Sequence, residues 1–409
     1  MRLLYLIPSL NPVAGGPVEN LRQCATVMSE MGHSAEIATL DAPESRWLRD
    51  FPLPATGLGP AVGSYAYAPR LVPWIKRNAS DHDVVIVRGI WQYHSFACWR
   101  ALRGSDTPYV VFTHGMLDPW FKRTYPWKHA KKWMYWPWAE YRVLRDARAV
   151  LFTCEEERLL ARKSFFLYRC NEQVVSYGTA TSTQDPDLCN VAFFDRHPEL
   201  KGKRFLLFMG RIHPKKGCDL LIEAFASVRQ DNPECCLVIA GPDQAGMQSQ
   251  LMALARRRQV ADRISWTGMI SGNIKQGAIE AAEAFILPSH QENFGIVVAE
   301  ALASGKPVLI SNKVNIWREI EQDGAGLVAN DDLDGTRWLL RRWFGMSAAE
   351  KQSMSARARQ SFINRFEIRR SAQSVIDVLS PLVGGAPTNY TTRPDRFQFA
   401  GLSKLFTFE

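Results

Sequence analysis

The densest concentration of chemically capable residues lies at 287–305, LPSHQENFGIVVAEALASG. An apolar run ends at Pro288, a short loop presents Glu292, and Asn293-Phe294-Gly295 leads into a helical pattern that carries Glu300. The N–H groups of Phe294–Ile296 are then unpaired donors at a helix start, suited to a phosphate or a sugar hydroxyl. Either carboxylate, taken alone, could equally be solvated, Glu292 on its loop and Glu300 on a helix surface. A second concentration is FLLFMGRIHPKKG at 205–217, where Gly210 ends an apolar run, Arg211 follows and Lys216-Gly217 opens the next helix. Two cations beside a helix start form an anion site, and arginine grips a phosphate through two parallel hydrogen bonds. The alternative is a solvated strand-end Arg211, with Lys215 or Lys216 solvated as well. Two weaker signals precede these. Gly15-Gly16-Pro17 is a glycine turn that lets backbone approach a phosphate or sugar, although it does not match G-x-G-x-x-G. Thr113-His114-Gly115 places a histidine at the end of an apolar run; a lone histidine is more often structural, and the strand edge adds weight to a chemical role.

The elements that must hold these residues are legible as short apolar runs alternating with amphipathic stretches, the pattern of parallel α/β sheets. Strands are expected at 3–7, 35–40, 84–87, 109–113, 149–153 and 173–176, with helices at 17–31, 68–78 and 93–102. From 179 to 202 the pattern lapses into the polar TATSTQDPDLCN and a segment ending in Lys-Gly-Lys. A second series follows, with strands at 205–209, 236–240, 263–266, 284–287, 307–310 and 326–328. Its helices are expected at 219–229, 247–257, 274–282 and 295–303. The expected division is therefore 1–178 and 203–365 as two Rossmann-like domains, 179–202 as linker, and 366–409 as a C-terminal helix and tail returning toward the first domain. Two such open sheets, each with a glycine-bearing loop after its first strand, leave a cleft between them.

The 409 residues, 46% of them hydrophobic, are ample for two cores and exclude a disordered or low-complexity chain. Lys and Arg number 50 against 41 Asp and Glu, a formal +9. That excess suits solubility, an anionic ligand, a membrane surface or nucleic acid. Eight scattered cysteines with no C-x-x-C pair and no metal-ligand spacing are expected to be reduced, mostly buried thiols of a cytoplasmic protein. The N-terminal run is too short for a secretory signal, and no stretch approaches eighteen apolar residues, so no membrane span is expected.

Together these motifs resemble the retaining, nucleotide-sugar-dependent glycosyltransferases of family 4 (group 1), over roughly residues 1–380. The diagnostic element is Glu292 and Glu300 at E-x7-E spacing, embedded in E-N-F-G and followed by EALASGKPV. The order also fits: glycine loop, His-Gly, GR-x4-KG, then E-x7-E. The resemblance implies the GT-B fold, two Rossmann-like parallel-sheet domains facing each other across a cleft. It implies that Arg211 and Lys216 hold the donor diphosphate, that Glu300 binds the ribose, and that Glu292 with Asn293, Phe294 and Gly295 positions the donor sugar. His114 would contact that sugar near its reacting centre, and Gly15 and Gly16 would approach the diphosphate from the opposite domain. No enzyme nucleophile, metal or cofactor is implied, the donor being a substrate. The implied activity is metal-independent hexosyl transfer to a glycan acceptor, lipid-linked in polysaccharide biosynthesis. A nucleotide-sugar epimerase of this architecture and a non-catalytic basic binding module are the alternatives. The chain departs from the family at Arg88-Gly89-Ile90-Trp91, where a histidine is common, and at Ser176-Tyr177-Gly178, where proline-asparagine-glycine is common.

Residues 118–145 hold nine aromatics and seven Lys or Arg against Asp118 and Glu140. Rings interleaved with cations suit an anionic membrane surface or a lipid-linked acceptor; they could also stack bases, or pack into the first domain's core. With no recognisable nucleic-acid module, no nucleic-acid partner is expected. Pro137 should break this stretch into helices near 128–136 and 138–144, with Trp133 and Trp136 on one face and Lys128, Lys131 and Lys132 on another. The expected location is the cytoplasm, with a peripheral position on the inner membrane face.

Overall fold

The computed structural model describes residues 1–230 and 232–383. The N-terminal half builds a seven-stranded sheet from β1 (Arg2–Ile7), β2 (Ser34–Thr39), β3 (Ala55–Gly57), β4 (Val84–Arg88), β5 (Tyr109–Phe112), β6 (Ala149–Phe152) and β7 (Glu172–Val174), in the order β3-β2-β1-β4-β5-β6-β7. The second sheet has six strands, β8 (Arg204–Met209), β9 (Cys235–Ala240), β10 (Ile264–Gly268), β11 (Ala284–Leu287), β12 (Val308–Ser311) and β13 (Gly326–Ala329), in the order β10-β9-β8-β11-β12-β13. All pairings within both sheets are parallel. The central strands are apolar along their whole length because helices cover both faces: β4, β5, β6 and β11 are buried at every residue. Strand order reverses beside β1 in the first sheet and beside β8 in the second. Both crevices lie beyond the carboxyl ends of those strands, where the glycine turn and Arg211 sit. The architecture is GT-B.

Strand β3 was not anticipated; three residues, Ala55–Gly57, are too few for a periodic signal. The 179–202 segment corrects the expectation of a polar lapse. Pro186–Arg196 is a helix, capped by Asp185 accepting from the Asp187 N–H, with Cys189 and Phe193 buried. Those two side chains, one helical turn apart, are its only fully buried residues, so the period was too sparse to read. It packs against the helix Gly272–Ala281, and a Cβ at Gly277 would lie 2.0 Å from the Cys189 carbonyl oxygen.

The chain passes between domains twice at one point. The Thr179 N–H donates to the Phe366 carbonyl at 2.9 Å, and the Ile368 N–H donates to the Thr179 carbonyl at 3.1 Å. A Cβ at Gly178 would stand 1.8 Å from the Phe366 oxygen, so only glycine fits there. The helix Ile368–Leu379 then buries Ile368, Ala372, Val375, Ile376 and Leu379 in the first domain's core, against the helix Gly16–Glu30. From residue 384 the expected tail lies outside the described residues.

The aromatic stretch bends at Pro137, between helices Pro126–Tyr135 and Glu140–Asp146. Its faces differ from the expectation. Trp136 is fully buried and stacked on Phe165 at 4.2 Å, and Trp133 stacks on Phe166 at 4.5 Å. Lys132 turns inward, its ammonium 4.4 Å over the Trp91 ring. Burying two indoles rotates the helix so that Trp127, Lys128, Lys131 and Met134 face outward instead. No described helix is long and apolar enough to cross a membrane.

Candidate active site in the interdomain cleft

Strand β11 delivers Pro288 to the cleft, and the loop after it is held by backbone pairing with 313–315. The Glu292 N–H donates to the Lys313 carbonyl at 2.9 Å, and the Asn315 N–H donates to the Glu292 carbonyl at 3.0 Å. This places the Glu292 carboxylate against the Lys216 ammonium, both largely buried. Lys216 is held by the turn Pro214–Lys216, after which Gly217 takes a left-handed φ of 64°. A Cβ there would lie 2.3 Å from the Pro288 carbonyl oxygen, so glycine lets the two loops touch. Arg211 is exposed, with Nη1 donating to Gln244 Oε1 at 2.9 Å. Arg211, His213, Lys215, Lys216 and Gln244 line a cavity of about 370 Å³. Nearby charge and burial lower the His213 pKa, burial being the larger cause.

Glu300 lies in the helix Ile296–Ala303 and accepts from Lys275 Nζ at 2.6 Å, while its Oε2 is buried without a partner among the described residues. No side chain caps that helix at Gly295, leaving its first N–H groups to whatever enters the cleft. Phe294 is buried edge-on to Tyr177 at 4.9 Å and Phe366 at 5.7 Å, so its side chain is domain-junction core.

The opposing domain supplies the glycine turn and His114. Gly15 has φ 75°, and the helix Gly16–Glu30 begins beside the donor-side helix: a Cβ at Gly16 would lie 3.8 Å from Ile296 Cγ2. His114 is in the left-handed region, φ 47°, stacked on Phe112 at 5.3 Å and edge-on to Tyr177 at 5.9 Å. Its Nε2 is buried and unpartnered among the described residues. Burial, and secondarily the Arg88 guanidinium, hold its pKa well below the ordinary value, so the ring is neutral. Thus the structure brings the glycine turn, His114, Asn293, Glu292, Lys216 and Arg211 to one cleft.

Several residues of the site had no sequence signal. Glu157 is buried and accepts from the Thr113 hydroxyl at 2.7 Å, the Gly115 N–H at 2.5 Å, the Thr153 N–H at 2.7 Å and the Thr153 hydroxyl at 2.6 Å. It thereby ties the His114 turn to the end of β6. In the run Glu155-Glu156-Glu157 nothing local marks the third as the buried one. Arg88, at the start of the stretch that departs from the expected pattern, is buried, donates to Asn20 Oδ1 at 2.8 Å and lies 4.9 Å from the Phe112 ring centre. Lys275 as partner of Glu300 was likewise unread. A larger cavity, about 880 Å³, opens at the hinge between Tyr177, Glu319 and Arg370, and none of the motif residues lines it.

The family model described as glycosyl transferases group 1 matches residues 192–360, and that described as a glycosyl transferase 4-like domain matches 15–178. The chain belongs to the group 1 glycosyltransferases. Among members of this glycosyltransferase family, a D-inositol 3-phosphate glycosyltransferase of Salinispora tropica is 28% identical over 197 residues, 46% of this chain and 40% of that protein. An alpha-D-kanosaminyltransferase of Streptomyces kanamyceticus is 30% identical over 188 residues, 46% of this chain and 48% of that one. The aligned part therefore spans less than half the length of these relatives. Among solved structures, Anabaena HepE in complex with UDP and glucose superposes with TM-score 0.72 at 18% identity, over 93% of this chain and 99% of that chain. WaaG, a glycosyltransferase involved in lipopolysaccharide biosynthesis, superposes with TM-score 0.68 at 16% identity, over 94% of this chain and all of that one. At these identities the likeness is one of fold.

Proposed function

We propose that this protein transfers a hexose, with retention, from a nucleotide-diphosphate sugar to a glycan acceptor carried on lipid, at the inner face of the cytoplasmic membrane and in polysaccharide assembly. The observation that carries the reading is the Lys216–Glu292 contact beside Arg211, at the mouth of a cavity large enough for a diphosphate. In the transfer, the bond from the anomeric carbon to the donor phosphate oxygen breaks and a bond to the acceptor oxygen forms on the same face. The acceptor proton passes to the departing phosphate, and the nucleoside diphosphate leaves. Negative charge grows on that phosphate, and prepositioned cations are worth most there. Arg211 and Lys216 supply them, and the uncapped helix start at Gly295–Ile296 adds backbone donors. Glu292, engaged by Lys216, orients sugar hydroxyls rather than attacking carbon. Glu300 and Lys275 hold the ribose, and the neutral His114 contacts the sugar from the other domain. This assignment needs neither a metal nor a cofactor.

The lipid-linked part rests on an outward stripe. Trp127, Met134 and Trp138 are 85%, 72% and 69% exposed, and Lys128 and Lys131 stand beside them. Rings and a thioether flanked by ammonium groups match the boundary layer of an anionic bilayer. The test of transfer is a panel of nucleotide sugars incubated with the protein and membrane extract. Nucleoside diphosphate released only when a glycan acceptor is present supports the reading. Interconversion of the sugar nucleotide without release would make it an epimerase, and binding without turnover a binding module.

A further inference from the structure

The helix Pro126–Tyr135 has an inner face that the donor chemistry leaves unused. Lys132 Nζ lies 4.4 Å over the Trp91 ring and 5.3 Å from the centre of the Phe121 ring. From the other domain Lys215 Nζ reaches 4.3 Å from that same Phe121 ring and 4.4 Å from Trp120. Its neighbour Lys216 engages the Glu292 carboxylate instead. Both ammonium groups lie within about 5 Å of the Phe121 ring centre, so they stand at most about 10 Å apart, close enough to repel in poorly hydrated surroundings. Neither makes an ion pair within 4.0 Å among the described residues. The Lys215 ammonium donates only to a neutral group, Gln291 Oε1 at 3.1 Å.

We propose that Lys132 and Lys215 bind a phosphate group carried by the acceptor. This rests on the transferase reading above and names the chemical class of its second substrate. Two half-buried cations, each resting on aromatic faces and each short of a carboxylate, are an unneutralised pair across the cleft mouth. A phosphate placed between them supplies the missing charge and draws the domains together over the reacting sugar. Trp91, its indole N–H donating to the Met116 backbone carbonyl at 2.9 Å, walls the site at the carboxyl ends of β4 and β5. The same helix turns Trp127 and Met134 outward, so a lipid-borne phosphate and a membrane surface are met by opposite faces of one element.

The groups facing the pair are few. Glu140 and Lys215 act on Lys132 through their charge, and Glu292, Asp118, Lys216 and Arg211 act in the same way on Lys215. Asp118 is buried and accepts from Gln291 Nε2 at 3.2 Å and from the Trp120 N–H at 2.8 Å. Burial lowers both lysines to a pKa of about 8 and raises Asp118 and Glu140, so the carboxylates only partly offset the cations. Binding of the anion should therefore weaken as pH rises past about 8, where the free lysines lose their protons.

The experiment uses the full chain with the donor site first saturated by the nucleoside diphosphate that most raises Tm. Geranyl phosphate, glucose 1-phosphate, geraniol and methyl glucoside are then titrated by calorimetry, at pH 7 and pH 9. Phosphate-bearing probes are expected to bind, the neutral ones not, with geranyl phosphate ahead if the phosphate is lipid-borne and glucose 1-phosphate ahead if it is sugar-borne. Lys132→Gln and Lys215→Gln should each weaken the phosphate probe about ten-fold or more, whereas Lys132→Arg should retain it. Lys132→Gln should leave nucleoside diphosphate affinity unchanged, which also shows that the variant is folded. Equal binding of neutral and phosphate probes, or unchanged affinity in Lys132→Gln, overturns the proposal and leaves Lys215 a domain contact only. If no nucleoside diphosphate binds while Lys132-dependent phosphate binding persists, the transferase reading falls and the phosphate site stands.

Discussion

Asn293 of the donor-side loop donates from Nδ2 to Thr153 Oγ1 at 3.2 Å across the cleft, and that Thr153 hydroxyl in turn donates to Glu157. With the Gly115 N–H donating to the same Glu157 carboxylate, the 287–295 loop is joined through three successive hydrogen bonds to the turn that carries His114. At Gly115, with φ 72°, a Cβ would lie 2.6 Å from Asn293, so the close approach itself depends on glycine.

Glu157 should therefore behave as a positioning residue. In Glu157→Gln the side chain brings a donor against groups that already donate, leaving buried N–H or O–H groups unpaired at about 1–3 kcal/mol each. We expect a clear loss of Tm and a fall in kcat on the order of ten-fold or more as His114 shifts. Affinity for the nucleoside diphosphate should hold. Chemical denaturation with steady-state kinetics below the transition checks this; an unchanged kcat would remove Glu157 from the site's architecture.

Arg211→Ala and Lys216→Ala should each damage turnover far more than folding. Arg211 is exposed and its loss breaks one contact to Gln244. Losing a preorganised cation at the departing diphosphate should cost on the order of 10²-fold in kcat/KM. Near-wild-type kcat/KM in both variants would sink the diphosphate assignment.

Glu292→Gln and Glu300→Gln should fail differently because their partners differ. Glu300 pairs with Lys275 away from Lys216, and its loss should raise KM for the donor. Glu292 sits on Lys216, and with the proposed role of orienting the transferred sugar its loss should lower kcat at saturating donor. Purely KM-type effects of equal size would contradict that division.

The outward stripe predicts reversible attachment to anionic vesicles. Trp127→Ala with Met134→Ala should weaken attachment at any salt, whereas Lys128→Gln with Lys131→Gln should remove only the anionic preference, about 1 kcal/mol for each cation near the surface. These side chains are exposed, so Tm should change little. Co-sedimentation at low and high salt reads the result, and a wild type that ignores anionic vesicles removes the membrane reading.

Glu140 gives stability a pH dependence. It is fully buried, accepts from the Trp91 N–H at 2.8 Å and the Ser95 hydroxyl at 2.9 Å, and burial raises its pKa from 4.5 to about 7. The unfolded chain ionises it first, so the folded state loses stability as pH rises from about 4.5 to about 7 and no further above. Glu140→Gln keeps an acceptor for both donors and removes that loss. Its Tm relative to wild type should climb over the same window; parallel Tm curves from pH 4 to 8 would refute this.

The two parallel sheets were legible in the order of residues alone, since strands buried on both faces must be apolar along their length and so stand out from the helices between them. The loops that line the cleft were legible as well, because E-N-F-G with E-x7-E, GR-x4-KG and the glycine turn are local patterns that must follow particular strands. What the order of residues left open lay in long-range contact. Whether Glu155, Glu156 or Glu157 turns inward, which of Lys128, Lys131 and Lys132 faces the cleft, and that Lys215 and Lys216 take different partners are decided by contacts with residues up to nearly a hundred positions away in the chain. Only packing chooses among neighbours of like charge, because helical spacing gives each a direction but not the wall it meets. Trp136 makes the point: its indole stacks on Phe165, and with Trp133 packed beside it Lys132 comes over the Trp91 ring instead of facing solvent.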